Sequence, residues 1–373
     1  MSLNILRVVQ SLYPEVVGGI GVHAHEMSQA QSAMGHEVSV VTTDNGEHSL
    51  PREEERDGYT LYRLKEMARP FDNSLTPGIV PTIHSLAPEH DVIHAHSHFY
   101  FMSNISTVLG AISSSPVVVT NHGLVSQTAP LPIQKVFTPT IGRLTFEASD
   151  RVLCYTKTDK SRLEERGVST DISVIPNGID CDRFQPNGSE PRPQILFVGR
   201  LKPGKGAGNL IRAFARLENT YPSWNLEIVG DGPLRSELVN LADSLGLHSR
   251  VSFVGEVPNA VLPQLYNESA VFALPSSSEG LPRTVLEAMA CKTPVVVSDL
   301  DQLRPVVDGA GLTASPESIG KLADALAHAM DNPDVRRYWG ETGRSRVEES
   351  YSWESTVRDT TRVYERLVNG DSG

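Results

Sequence analysis

Two glutamates, Glu279 and Glu287, bracket a Gly, a Pro and a short apolar run in S-S-S-E-G-L-P-R-T-V-L-E, residues 276–287. A glycosidase also works with two carboxylates, set on either side of one glycosidic oxygen. The setting here is different. Pro282 suits the first turn of a helix, where its missing N–H costs nothing, and R-T-V-L-E-A-M-A continues as that helix. Glu279 then lies in the loop before the helix and Glu287 on the helix itself. Gly280 lets the loop pass close to a ligand. The free amides at the helix start suit phosphate oxygens, while the carboxylates can accept hydrogen bonds from the hydroxyls of a ribose or a sugar ring. The plainer reading is a solvated helix-start Glu and an unrelated surface Glu.

Cations with a matching use occur upstream. V-G-R-L-K-P-G-K-G (198–206) sets Arg200 and Lys205 in the loop beyond a strand, where two positive charges can hold a diphosphate and neutralise it as a leaving group. An ordinary basic loop would read the same way, and the P-loop pattern is absent. V-G-D-G-P-L (229–234) is a strand-to-helix turn that need do nothing more. In Y-P-E-V-V-G-G-I-G-V-H (13–23), Gly18 and Gly19 permit close backbone approach to a phosphate or sugar; without G-x-G-x-x-G, no NAD site follows. His94, His96 and His98 share an extended segment, but no carboxylate or thiolate completes a familiar zinc site nearby, so no metal is expected. His122, beside Gly123 just after a strand, is the better candidate to touch substrate; a loop histidine satisfied by hydrogen bonds is the alternative.

The elements that must position these residues alternate. Strand-like runs at 3–9, 37–42, 91–94, 116–120 and 151–156, and again at 195–199, 225–230, 251–255, 270–275 and 293–298, are separated by helical patterns. This predicts two doubly wound α/β domains in tandem, with ligands beyond the carboxyl ends of their strands. Two such domains facing each other would form a deep cleft. The polar, proline-rich stretch 185–194 reads as a linker, and 351–368 as a closing helix. A length of 373 residues suits two cores. A net charge of -12 argues against general nucleic-acid binding. Cys154, Cys181 and Cys291 are far apart and read as reduced thiols of a cytoplasmic protein. No signal-peptide run and no stretch approaching a membrane span is visible. Peripheral contact on the cytoplasmic face of a membrane stays open.

Together these residues resemble the retaining glycosyltransferases of glycosyltransferase family 4 (glycosyl transferases group 1), with the GT-B fold. The likeness runs through P-E-V-V-G-G-I-G, D-V-I-H-A-H, T-N-H-G, V-I-P-N-G-I-D, V-G-R-L-K-P-G-K-G, V-G-D-G-P-L, V-S-F-V-G and S-S-S-E-G-L-P-R-T-V-L-E-A-M-A. It implies an acceptor-side domain at 1–184, a linker at 185–194, a donor domain at 195–350 and a segment at 351–373 returning to the first domain. It implies that Arg200 and Lys205 bind the donor diphosphate, that Glu287 accepts from the ribose and that Glu279 contacts the transferred sugar. Gly280, Leu281 and Pro282 would complete the donor site, Gly18 and Gly19 would approach it, and His122 would orient the sugar. The catalytic set is then His122, Arg200, Lys205 and Glu279. Asp301, Gln302 and Pro305 depart from the family's usual Gly-Gly-and-Glu loop, and Lys292 replaces a frequent glycine.

The expected reaction moves a hexose-type sugar from a nucleotide sugar to a glycan, lipid-linked or small-molecule acceptor, in polysaccharide, glycan or glycolipid synthesis, with no cofactor or metal. The rivals are a nucleotide-sugar epimerase of the same architecture and a non-catalytic sugar-nucleotide binding protein. Acceptor contacts are expected from loops at about 66–82 and 124–142, the latter mixing apolar residues with Lys135 and Arg143.

Overall fold

A computed structural model describes residues 1–126 and 129–370. Residues 127, 128 and 371–373, which belong to the expected acceptor loop and closing segment, lie outside the described residues. The chain forms two units, Met1–Pro176 with Ser355–Gly373, and Asn177–Glu354.

The strands of the first unit are β1 (Asn4–Val8), β2 (Glu37–Thr43), β3 (Glu53–Arg56), β4 (Tyr59–Leu64), β5 (Val92–His96), β6 (Val117–Thr120), β7 (Arg151–Cys154) and β8 (Ile172–Val174), most of them rich in β-branched residues. They order as β3-β4-β2-β1-β5-β6-β7-β8, parallel except for the β3–β4 hairpin. The central strands are buried on both faces, as parallel sheets covered by helices must be. The hairpin is not among the expected elements. Its E-E-E-R strand looks solvated, and its inward face comes from its partner, where Tyr59, Leu61 and Arg63 are buried. The helix Trp353–Val368 completes this unit. Tyr364 is wholly buried in one apolar layer with Leu3, Ile5 and Leu12. Its hydroxyl bonds to His94 Nδ1, and Gln31 Nε2 donates to Thr361 Oγ1 at 2.9 Å.

The second unit is a six-stranded parallel sheet with the order β11-β10-β9-β12-β13-β14. Its strands are β9 (Arg192–Val198), β10 (Asn225–Val229), β11 (Val251–Gly255), β12 (Ser269–Leu274), β13 (Val295–Ser298) and β14 (Gly311–Ala314). The division of the chain falls at 176/177, upstream of the 185–194 stretch. The reason lies in the side chains that hold residues 177–184. Arg344 donates through Nη1 to the carbonyls of Cys181, Phe184 and Ala290 at 3.1, 2.6 and 2.9 Å, fastening this segment to the second unit. Of the proline-rich stretch, residues 185–191 lie outside any helix or strand and are mostly exposed, while 192–194 already belong to β9. The strand β14 and the helices Leu262–Glu268, Ile319–Asp331 and Pro333–Ser350 were also absent from the sequence reading.

Among its parallel strands each sheet reverses its order once. β1 lies between β2 and β5, and β9 lies between β10 and β12. At such a reversal the loops beyond the strands part and leave a crevice for a ligand. In the second unit those loops are 199–206 and 275–282, which carry Arg200, Lys205, Glu279, Gly280, Leu281 and Pro282 of the donor candidates.

Candidate functional site

The two second-unit loops are locked together. Ser277 N donates to Gly204 O at 2.8 Å. Gly206 has φ +79, and a Cβ there would stand 2.0 Å from Pro275 O, so only glycine fits this approach of backbone to backbone. Lys205 Nζ lies 2.6 Å from Glu279 Oε1, and the side chains are 19% and 8% exposed. Lys205 is therefore already shared with Glu279, whereas the sequence reading treated it as a phosphate ligand alone. Arg200 is exposed just beyond β9. The backbone at Glu279 has its own support, a hydrogen bond from Gln302 Nε2 to its carbonyl. Gln302 is buried, so this departure from the family pattern bears directly on the loop that holds the first carboxylate. Asp301 instead pairs with Arg304 at 3.0 Å. Pro305 lies in the short helix Arg304–Val307.

Gly280 and Leu281 are buried, and Leu281 O receives a long contact of 3.5 Å from Asn177 Nδ2. Pro282 caps the helix Arg283–Ala290 from an extended conformation, φ -71 and ψ 125. It sits one position before the helix instead of in its first turn. Its ring fixes φ near the helical value while its ψ turns the chain out of the loop. Glu287 is 4% exposed. Its Oε2 accepts from the Tyr266 hydroxyl at 2.8 Å, and its Oε1 is 3.8 Å from Arg283 Nε. Burial, and then the neighbouring carboxylate, push the Tyr266 hydroxyl well up, which keeps it a donor. The same two causes push the Cys291 thiol up to about 12, so it stays protonated. Tyr266 was not anticipated; nothing local in L-P-Q-L-Y-N-E marks it, since its partner lies on another helix.

In the first unit, Gly18 caps the helix Gly19–Ala33 with extended backbone, and a Cβ at 18 or 19 would meet nothing within 4 Å. Packing imposes glycine instead at Gly21, where a Cβ would lie 2.8 Å from Ser11 O. Glu15, in the same loop, is gripped by the unexpected hairpin. Arg56 Nη1 lies 2.8 Å from its Oε2 and Arg63 Nη2 2.7 Å from its Oε1. Burial alone would raise the Glu15 carboxyl, but these bonds outweigh it and hold it at about 2.

His122 follows β6, as expected, but its ring is occupied. Nε2 is 3.0 Å from His96 Nδ1, and Nδ1 is 2.8 Å from the Tyr155 hydroxyl. Burial lowers its pKa to about 3, so the ring is neutral. Whichever tautomer it takes, both nitrogens are committed to protein partners and neither is left to donate to a sugar in this conformation. His94 bonds Thr120 Oγ1 at 2.7 Å, and its ring centroid is 4.3 Å from that of His96. No group of three or more His, Cys, Asp or Glu is arranged to hold a metal among the described residues. The cysteines are free, and no described helix is long and apolar enough to cross a membrane.

Comparison with known proteins matches both halves of the chain. Residues 17–183 fit the family model described as Glycosyltransferase Family 4, and residues 179–346 fit the model described as Glycosyl transferases group 1. A glycogen synthase of Mycobacterium tuberculosis is 26% identical, over 99% of this chain and 96% of its own length. Sucrose-phosphate synthase from Thermosynechococcus elongatus has the same fold, with a TM-score of 0.84 at 22% identity over 99% of this chain and 100% of that one. HepE from Anabaena, in complex with UDP and glucose, gives a TM-score of 0.76 at 20% identity, covering 97% and 99%.

Proposed function

Because this chain belongs to the family 4 glycosyltransferases and is an enzyme of GT-B fold, we propose that it moves a hexose-type sugar from a nucleoside diphosphate to an acceptor hydroxyl with retention at the anomeric carbon. The observation that carries this reading is the convergence beyond β9 and β12. There Arg200, Lys205, Glu279 and the start of the helix Arg283–Ala290 meet at the reversal of strand order, and the Lys205–Glu279 pair of 2.6 Å ties the two loops together.

In the reaction, the bond from the anomeric carbon to the β-phosphate oxygen breaks and its electron pair leaves with the diphosphate. Arg200, Lys205 and the helix-start amides stabilise that charge. The acceptor oxygen bonds to the anomeric carbon on the same face, and its proton passes to the departing diphosphate. Glu279, held by Lys205 and backed by Gln302, accepts from hydroxyls of the sugar. Glu287 keeps one oxygen on Tyr266 and offers remaining lone pairs to the ribose. Gly280, Leu281 and Pro282 bring backbone close to the donor. Gly18, Gly19 and His122 are assigned to the sugar, with His122 acting by the position of its ring and backbone, since its nitrogens are engaged. No metal is needed when cations and amides already face the diphosphate.

The test is calorimetric titration with UDP-, GDP- and ADP-sugars in EDTA, starting from UDP-glucose because HepE holds UDP and glucose. One nucleotide should bind selectively, and Arg200→Ala and Glu287→Gln should each weaken it at least tenfold. An α-donor should give an α-linked product by NMR. If none of the nucleotide sugars binds folded protein, the donor assignment falls; an inverted product would overturn retention.

A further inference from the structure

Apart from the donor residues, the first unit carries a feature that neither its core nor the proposed chemistry explains. The connection from β6 to β7, which begins with His122, forms the helical stretch Leu131–Phe137, Thr138–Gly142 and Arg143–Glu147. Its large aliphatic side chains point outward. Leu131 and Val136 are each 67% exposed, Leu144 56% and Ile141 48%. A helix docked on a core would bury such residues. Here only a few positions, such as Gln134, Thr145 and Phe146, are buried.

The apolar surface continues onto a second connection. Met67 and Phe71, after β4, are 71% and 53% exposed. That loop is tied to Phe99 by Asn73, which donates to Phe99 O at 2.9 Å, and the Phe99 ring stacks on Phe137 with centroids 6.1 Å apart. Three connections, leaving the carboxyl ends of β4, β5 and β6, are thus linked along one rim of the sheet. Large aliphatic side chains left exposed on linked connections are the mark of an interaction surface.

Charge says what covers it. From His122 to Phe146 the chain has no Asp or Glu and two cations, Lys135 and Arg143, in a protein of net charge -12. Arg143 has one loose acidic neighbour, Glu147, at 3.7 Å. Glu66, on the other connection, is already neutralised by Arg69 at 2.6 Å. Exposed aliphatics interleaved with lysine and arginine, without acids, fit an interface that is apolar inside and anionic at its surface. A protein partner would more typically be met by Trp, Tyr or Arg anchors, and the exposed positions here are chiefly Leu, Val, Ile and Met.

We propose that this rim seats the enzyme peripherally on an anionic lipid bilayer, with the acceptor hydroxyl of the proposed reaction borne by a lipid. The lipid-borne acceptor rests on the transfer reading above; the membrane contact does not. The connection that binds the bilayer is also the one that carries His122, so docking would bring a lipid headgroup to the acceptor side of the chemistry.

Flotation of the full chain with phosphatidylcholine vesicles, with and without phosphatidylglycerol, tests it. Binding should require the anionic lipid and weaken with salt. Neutralising both cations in K135Q/R143Q should reduce it about 30-fold, from the usual contribution of each cation near a charged membrane. The triple variant L131S/V136S/L144S should abolish it, while nucleotide-sugar calorimetry stays unchanged. That last readout separates this contact from the donor site: loss of donor binding in the parent protein would sink the transfer reading and leave vesicle binding standing. Failure of the parent to float with anionic vesicles overturns the proposal. So does light scattering that shows a dimer which the triple variant converts to monomer without any lipid binding, since a second copy would then be the occupant. If the triple variant misfolds, the charge pair alone decides.

Discussion

The two units use the same sheet plan and build their sites from opposite materials. In the second, the residues beyond β9 and β12 are ionic: Lys205 with Glu279, and Glu287 set between Arg283 and Tyr266. In the first, the residues in β5 and just past β6 and β7 are neutral rings, with Tyr155, His122 and His96 in one chain and His94 against Tyr364 in another. The difference follows from burial. His94, His96 and His98 are at most 1% exposed, and a charged imidazole there would lose its water without gaining a counter-ion, since the nearby charge that acts on His94 and His96 is Arg7. The ionic pairs of the second unit each have an opposite charge within reach. One plan therefore carries a site that keeps its charges and a site that excludes them.

The largest expected effect separates the units by acid. Burial holds these imidazoles neutral in the folded state, with His98 and His122 at about 3, while the unfolded chain takes up protons near pH 6.5. Their contribution is full above pH 6.5 and is lost as pH falls toward 3, at about 1.4 kcal/mol per pH unit for each wholly buried ring. Trp224, Trp339 and Trp353 all belong to the second unit. On acidification from pH 7.5 to 5, far-UV ellipticity should fall before tryptophan emission shifts. Coincident transitions would break the comparison.

Next in size, Glu287→Ala should destabilise the second unit by about 3 kcal/mol, because it leaves the buried Tyr266 hydroxyl without its acceptor and removes the buried carboxylate that faces Arg283. Glu287→Gln keeps an acceptor for Tyr266 and should lose about half as much. The tryptophan-monitored urea transition should move and the first unit's should not; movement of both would mean that the units unfold as one. A smaller change, Gln302→Ala, frees the Glu279 carbonyl and should weaken nucleotide-sugar binding five- to tenfold, or about 1–1.4 kcal/mol, with little effect on melting. Unchanged affinity would remove Gln302 from the support of that loop.

The smallest concerns Lys292. It has φ +60 just past the helix Arg283–Ala290, the left-handed position where glycine usually ends a helix. Its ammonium lies 2.8 Å from Glu341 at the surface, a contact of little weight. Lys292→Gly should raise the second unit's stability by about 0.5–1 kcal/mol in the same urea titration, and a loss would show that the surface pair outweighs the backbone strain.

What could be read from the sequence was whatever repeats locally. Strand-like runs such as I-L-F-V and A-V-F-A-L-P predicted β9 and β12 within a few residues, and the loops after them carried Arg200, Lys205 and Glu279 into the reversal of strand order. What escaped depends on contacts between distant segments. Tyr266 acquires its role only from Glu287 on another helix, and Gln302 only from the Glu279 carbonyl. The β3–β4 hairpin looked like solvated charge because its use, gripping Glu15 through Arg56 and Arg63, is invisible until the fold brings them together. His122 was found by position, yet its engaged nitrogens could not be foreseen, since Tyr155 and His96 reach it from neighbouring strands.

The buried hydroxyl of Tyr364 has a consequence for the order of synthesis. The second unit is continuous, so a nascent chain holds all of it once residue 354 has emerged from the ribosome. The first unit, begun at residue 1, lacks a wall of its core until the helix Trp353–Val368 is made. The half translated first is thus the half finished last. Through most of its own manufacture it exposes the apolar layer around Leu3, Ile5 and Leu12, and it is there that a chaperone would be needed.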